Sequence, residues 1–264
     1  MSDFVLTLRG ESRGGLRRSF VVEEGRPLGG YVWVIFIHGF NVDRKRGFLQ
    51  ANTLWSNLFR GELMGRVQKG VYLWPSARFP WRNLSRFAYP AVVGRAGRAG
   101  RHLGDYLASR NSGDVVLVGH SLGSVVALSA ADRLRGSGIL RGLVLLGAAV
   151  DVNEMIDGGL FSFMPLARRE AVEYSPDDKV LRSVFKIGQK IAEPFSPLAG
   201  AVGLSGQPWS RGWRHRDCKF DHHTHWEVPS TAQAVAWTMD HSVAGRIPPT
   251  NRVAERTPSV RDVE

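Results

Sequence analysis

The chain has 264 residues, 43% of them hydrophobic, which suffices for one substantial core and leaves no length for a second large domain. Its single cysteine, Cys218, excludes an intramolecular disulfide, no apolar window reaches transmembrane length, and the start Met1-Ser-Asp-Phe4 carries an acid too early for a secretory signal. A soluble, cytoplasmic protein is expected. The formal charge of +11 comes from arginines spread along the chain without a long basic block, which argues against a specific nucleic-acid partner and leaves at most a weak attraction to anionic membrane surfaces.

Phe4-Val-Leu-Thr-Leu8 and Ser19-Phe-Val-Val22 read as the strands of an antiparallel edge hairpin, joined by a Gly- and Arg-rich turn over residues 10 to 18. After Pro27-Leu-Gly-Gly30, the apolar run Tyr31-Val-Trp-Val-Ile-Phe-Ile37 predicts a central parallel strand. It ends in His38-Gly39-Phe40-Asn41, a polar loop at a strand's carboxyl end, where open α/β sheets bind ligands. Helical spacing over residues 48 to 59 precedes a strand at Gly70-Val-Tyr-Leu-Trp-Pro-Ser76 that Pro75 stops. The aromatic stretch 79 to 93 has no clean period, and Trp81 and Phe87 in it are candidate pocket walls. A helix over residues 96 to 109 follows.

The chain is organised around Asp114-Val-Val-Leu-Val-Gly-His-Ser121-Leu-Gly-Ser124. Val115 to Val118 predict a strand buried on both faces, and apolar residues at Val126, Ala127, Ala130 and Leu134 predict a helix over 122 to 135. So tight a turn brings the two backbones close enough that Gly119 and Gly123 have no room for a Cβ, and it leaves the Ser121 hydroxyl standing at the corner. Further on come strands at Leu140-Arg-Gly-Leu-Val-Leu-Leu146 and Ala171-Val-Glu-Tyr174, a helix over 180 to 191, and a surface loop over 194 to 213. A last strand at Cys218-Lys-Phe-Asp-His222 and a helix over 229 to 243 close a single domain spanning residues 1–247; a disordered tail is expected for 248–264. Strands alternating with helices imply a mostly parallel central sheet covered by helices on both faces.

A serine hydroxyl needs a base to take its proton and an acid to orient that base. Asp178 lies just past a strand and heads a helix, so it is the first candidate acid; Asp177 and Asp151 are alternatives, and a helix-capping role would also explain Asp178. The base is sought among His222, His223 and His225. No complementary ligand cluster accompanies these histidines, so neither a metal nor any cofactor is expected, and His38 and His120 read as packing or supporting groups. For an oxyanion, the Leu122 amide at the start of the serine helix is a natural donor, with the amide of Phe40 as the second.

His38-Gly-Phe40, Gly119-His-Ser-Leu-Gly123 and Asp178-Lys-Val-Leu181 stand in the order and spacing of the α/β-hydrolase superfamily, which the chain resembles over about residues 31 to 243. Asp221-His-His-Thr-His-Trp-Glu-Val-Pro229 is similar to that superfamily's Gly-His-Phe-Pro-His-Leu-Glu-x-Pro form, with Asp in place of the leading Gly, and the resemblance makes His222 the catalytic histidine. More narrowly, the His-Gly-Phe-Asn, Leu73-Trp-Pro-Ser76 and Tyr174-Ser-Pro-Asp-Asp178 segments resemble a bacterial esterase/lipase-like group. The short insert between the strands ending at Leu146 and Tyr174 implies a short or absent lid. The resemblance implies a serine hydrolase cleaving carboxylic esters of small molecules through Ser121, Asp178 and His222, with acyl transfer or thioester cleavage by the same nucleophile, or a non-catalytic binding scaffold, as alternatives.

Overall fold

The computed structural model describes residues 2–13, 16–25, 27, 31–58, 67–76, 89–110, 114–156, 158–161, 166–186, 200–206, 213–219 and 221–239. In chain order the sheet is built from β1 (Phe4–Arg13), β2 (Leu16–Gly25), β3 (Val32–Ile37), β4 (Val67–Leu73), β5 (Val115–His120), β6 (Leu140–Leu146), β7 (Arg169–Tyr174) and β8 (Trp213–Asp217). The spatial order is β2-β1-β4-β3-β5-β6-β7-β8, with β2 antiparallel to β1 and every other neighbouring pair parallel.

Strand alternation divides the interior into two cores. Ile35, Ile37, Leu117, Leu143, Leu145 and Val172 face one way, against α2 (Tyr89–Ser109) and α3 (Gly123–Arg133). Val34, Phe36, Val116, Val118, Val144 and Leu146 face the other, against α1 (Arg44–Leu58) and the terminal helix, which is α5 (Pro229–Met239) after the one-turn α4 (Val202–Ser205). The central strands are therefore buried on both faces, which is why they read as continuous apolar runs. The β3-α1-β4 connection runs toward the β1–β2 hairpin, whereas β5-α3-β6 runs toward β8 on the opposite face. Strand order thus reverses between β3 and β5, and a crevice opens at their carboxyl ends.

Three expectations are corrected. The hairpin strands are longer than predicted and reach Arg13 and Leu16, so most of the supposed turn is strand. The final described strand is Trp213–Asp217, not Cys218 to His222: among the described residues it pairs only with β7, and the charged Arg214 and Arg216 are tolerated because an edge strand is half-solvated. The helix after Asp178 includes a π-helical turn over Leu181–Phe185, and the predicted loop 194 to 213 contains α4. Trp81, Phe87 and the 248–264 tail lie outside the described residues. The connection from β6 to β7 carries, among its described residues, a one-turn 3-10 helix at Val152–Met155. Among the described residues no helix is long and apolar enough to cross a membrane.

Candidate active site

Between β5 and α3, Ser121 takes φ +53°, a left-handed conformation unusual for a residue with a side chain. The strained corner is pinned from both sides. The Ser121 amide donates to the Leu146 carbonyl at 2.9 Å, and its carbonyl accepts from the amides of Ser124 at 3.0 Å and Ala149 at 3.2 Å. A Cβ on Gly119 would lie 2.7 Å from the Gly123 carbonyl oxygen, and one on Gly123 would lie 2.3 Å from that of Ile37. Both glycines are thus required by backbone contact, as the sequence implied.

His222 precedes the 3-10 turn His225–Glu227 and reaches back over the serine. Its Nε2 is 2.9 Å from Ser121 Oγ, and its Nδ1 is 2.6 Å from Asp178 Oδ2. A carboxylate only accepts, so Nδ1 carries the proton and Nε2 is left as the acceptor for the Ser121 hydroxyl. Asp178 is fully buried in the turn just past β7, and its other oxygen, Oδ1, accepts from the Leu181 amide at 2.9 Å. Capping a helical turn and orienting the imidazole are therefore done by the same carboxylate, one oxygen each.

The alternatives sit elsewhere. Asp177 is exposed and faces Arg182 at 3.6 Å, and Asp151 Oδ1 accepts from the Asn153 amide at 2.8 Å, capping the 3-10 helix that follows. His223 is exposed, with its ring edge-on to that of His222. His225 is buried behind the site; a Cβ on Gly147 would lie 2.8 Å from its Nε2. Burial lowers His225 to about 4, so it is neutral at physiological pH.

His38 and His120 are supports. His120 Nε2 donates to the His222 carbonyl at 2.8 Å, and burial first, then the neighbouring imidazoles, hold His120 well below its ordinary value. His38 donates from Nδ1 to the Gly39 carbonyl at 2.9 Å and stacks on Trp74, and burial lowers it to about 4. The Trp74 indole donates to the His38 carbonyl at 2.8 Å, while Ser76 Oγ donates to the Val42 carbonyl at 3.1 Å. The Trp-Pro-Ser segment thus braces the His-Gly-Phe-Asn loop. That loop lies directly on the corner, because a Cβ on Gly39 would be 2.9 Å from Ser121 Cβ. Phe40 packs partly buried against the core, and the Leu122 amide is among the first of α3, which have no acceptor within the helix. Among the described residues, no three His, Cys, Asp or Glu side chains gather as a metal site.

Two features of this arrangement were not read from the sequence. One is the buried Glu173 beneath the histidine turn, whose only sequence signal is an acid inside an apolar strand. The other is the clasp between His120 and the His222 backbone, which no local pattern encodes.

Among solved structures the chain is similar to a Thermus thermophilus protein (14% identity, 89% of this chain and 98% of that one, TM-score 0.46). It is also similar to a Pyrobaculum calidifontis esterase (15%, 90% and 86%, 0.43) and to a fungal esterase from Rhizomucor miehei (13%, 92% and 85%, 0.41). No curated protein matches. The model of the alpha/beta hydrolase family matches residues 34–259, and this chain belongs to that family.

Proposed function

We propose that the protein is a serine carboxylester hydrolase working through an acyl-enzyme. The observation that carries this reading is the unbroken line Ser121 Oγ, His222 Nε2, His222 Nδ1, Asp178 Oδ2, with links of 2.9 and 2.6 Å. Ser121 Oγ attacks the ester carbonyl carbon as its proton moves to His222 Nε2, and Asp178 stabilises the resulting imidazolium. The tetrahedral oxyanion is held by the amides of Leu122 and Phe40, each such donor contributing about 3 kcal/mol to the transition state. On collapse, His222 returns the proton to the departing alkoxide, leaving an acyl group on Ser121. Water then repeats the sequence, with His222 as base, and releases the acid.

The test is hydrolysis of a short-chain aryl ester by the wild type and by Ser121→Ala. Loss of about 10⁴-fold or more in kcat, with the fold retained, is expected. Equal turnover by the variant would refute the assignment. Added alcohol and thiol acceptors, with product analysis, separate hydrolysis from acyl transfer.

A further inference from the structure

On β7, the strand that leads to Asp178, Glu173 is 1% exposed, and it is the residue whose hydrogen bonds require a proton. Thr231 Oγ1, in the first turn of α5, is hydrogen-bonded both to Glu173 Oε2 and, at 2.5 Å, to the His225 carbonyl oxygen. A hydroxyl has one proton to give. A carbonyl oxygen and an ionised carboxylate can only accept, so both contacts are satisfied together only when the carboxyl group supplies the second proton.

The rest of the pocket agrees. Among the described residues no N–H or O–H donor reaches Glu173 Oε1, and the neighbouring Cys218 thiol is only a weak donor, a costly state for a buried carboxylate. The cations on β8 face elsewhere: Arg216 Nη1 donates to Gln233 Oε1 at 3.2 Å, and the Arg214 guanidinium lies over the Trp237 ring. The Cys218 thiol beside the carboxyl is held neutral by burial and points to the Arg216 carbonyl at 3.6 Å. From β6 the register partner is apolar Leu146, and the imidazole of His225 is neutral. Burial pushes Glu173 up to about 7, against the weaker pull of Thr231, Arg216, the Cys218 thiol and Arg214. Burial pushes Glu170, on the same strand, up to about 7 as well, but its Oε1 accepts from the Leu166 amide at 2.7 Å and the Ala167 amide at 3.0 Å, contacts that ask for no carboxyl proton.

We propose that Glu173 is a positioning residue that acts as a neutral acid: its carboxyl proton goes to Thr231 Oγ1, the threonine proton goes to the His225 carbonyl, and this chain fixes the turn carrying His222. The proposal rests on His222 being the base of the reaction. Two further anchors hold the same turn, His120 on the His222 carbonyl and Asn57 Nδ2 on the Trp226 carbonyl at 3.1 Å. Glu173 is the one of the three that titrates near neutrality. When it ionises, the threonine proton is drawn to the carboxylate and the His225 carbonyl loses its donor.

The test combines infrared spectroscopy with pH profiles on the full-length protein. At about pH 6 the wild type is expected to show, beside the C=O stretch of Glu170, a second protonated-carboxyl component that disappears by about pH 9 and is lost in Glu173→Gln while the Glu170 component stays; Thr231→Val should shift that second component and so assigns it independently. Glutamine keeps a donor for Thr231. Its kcat/KM on an aryl ester should therefore match the wild type within about threefold at pH 6 and exceed it by about tenfold at pH 9, because the alkaline fall is removed. Thr231→Val should lower kcat at every pH with little change in KM. Absence of that second component at pH 6, or an alkaline fall that persists in Glu173→Gln, would overturn the proposal. Turnover surviving in Ser121→Ala would overturn the hydrolase reading and leave the infrared result standing.

Discussion

His120 and His222 are joined by a hydrogen bond from the ring of the first to the backbone of the second, 2.8 Å long and spanning 102 residues of sequence. His120 is the residue before Ser121, so the candidate nucleophile and base are locked together through their neighbours as well as through their own side chains. Replacing His120 with Ala leaves the buried His222 carbonyl without its donor, at a cost of about 1–3 kcal/mol. We predict a fall in kcat of about 10–100-fold with KM nearly unchanged, because the base is displaced and not removed. Steady-state kinetics on an aryl ester check this; a purely stabilising role would lower the melting temperature alone.

Trp74 offers a second test of preorganisation. Its indole donates to the His38 carbonyl at 2.8 Å, one residue before Gly39 presses on Ser121. Trp74→Phe keeps most of the buried ring and deletes that donor. A drop of about three- to tenfold in kcat is expected, with a stability loss near 1 kcal/mol. Unchanged kcat would mean that the loop holds its shape without the indole.

At Gly123 the prediction concerns folding. A Cβ there would lie 2.3 and 2.6 Å from the carbonyl oxygens of Ile37 and His38, which are backbone atoms of a central strand and its loop and have little freedom to yield. Gly123→Ala should destabilise by about 3 kcal/mol or more in equilibrium denaturation. A loss below about 1 kcal/mol would show that the corner can relax.

Glu170 and two buried histidines set opposing pH dependences. Burial raises Glu170 from 4.5 to about 7, so the stability it contributes is fully present below 4.5 and lost as pH rises through 7. Burial lowers His38 and His225 from 6.5 to about 4, so their contribution is present above 6.5 and lost as pH falls through 4. Each shift corresponds to something on the order of 3 kcal/mol. Glu170→Gln, which keeps the oxygen that accepts two amides, should lose about 2–3 kcal/mol more than the wild type between pH 7 and 4.5, as read by denaturant titration at both pH values. Parallel losses would mean that Glu170 is ionised throughout.

The legible parts of the sequence were those where local chemistry dictates geometry. Gly119 and Gly123 around Ser121 announce a close approach of two backbones, and the unbroken apolar run of β3 announces a strand buried on both faces. Asp178 stands out as a candidate acid because it follows a strand and starts a helix. β8 was misplaced because Trp213-Arg-His-Arg-Asp217 has the polar composition of a loop, and only its edge position makes that composition compatible with a strand. The choice among His222, His223 and His225 could not be read from spacing, since a turn decides which imidazole points at the serine. Glu173 looked like any acid in a strand; its proton is required by Thr231, which arrives from a helix 58 residues later.

The most direct measurement is active-site labelling of the folded protein with a fluorophosphonate, followed by mass-spectrometric localisation of the adduct. The phosphonyl group is expected on Ser121, with labelling abolished in Ser121→Ala and strongly slowed in His222→Ala, because the proposed mechanism has that imidazole take the hydroxyl proton. An adduct on another residue, or a native protein that takes up no label, would contradict a nucleophilic Ser121.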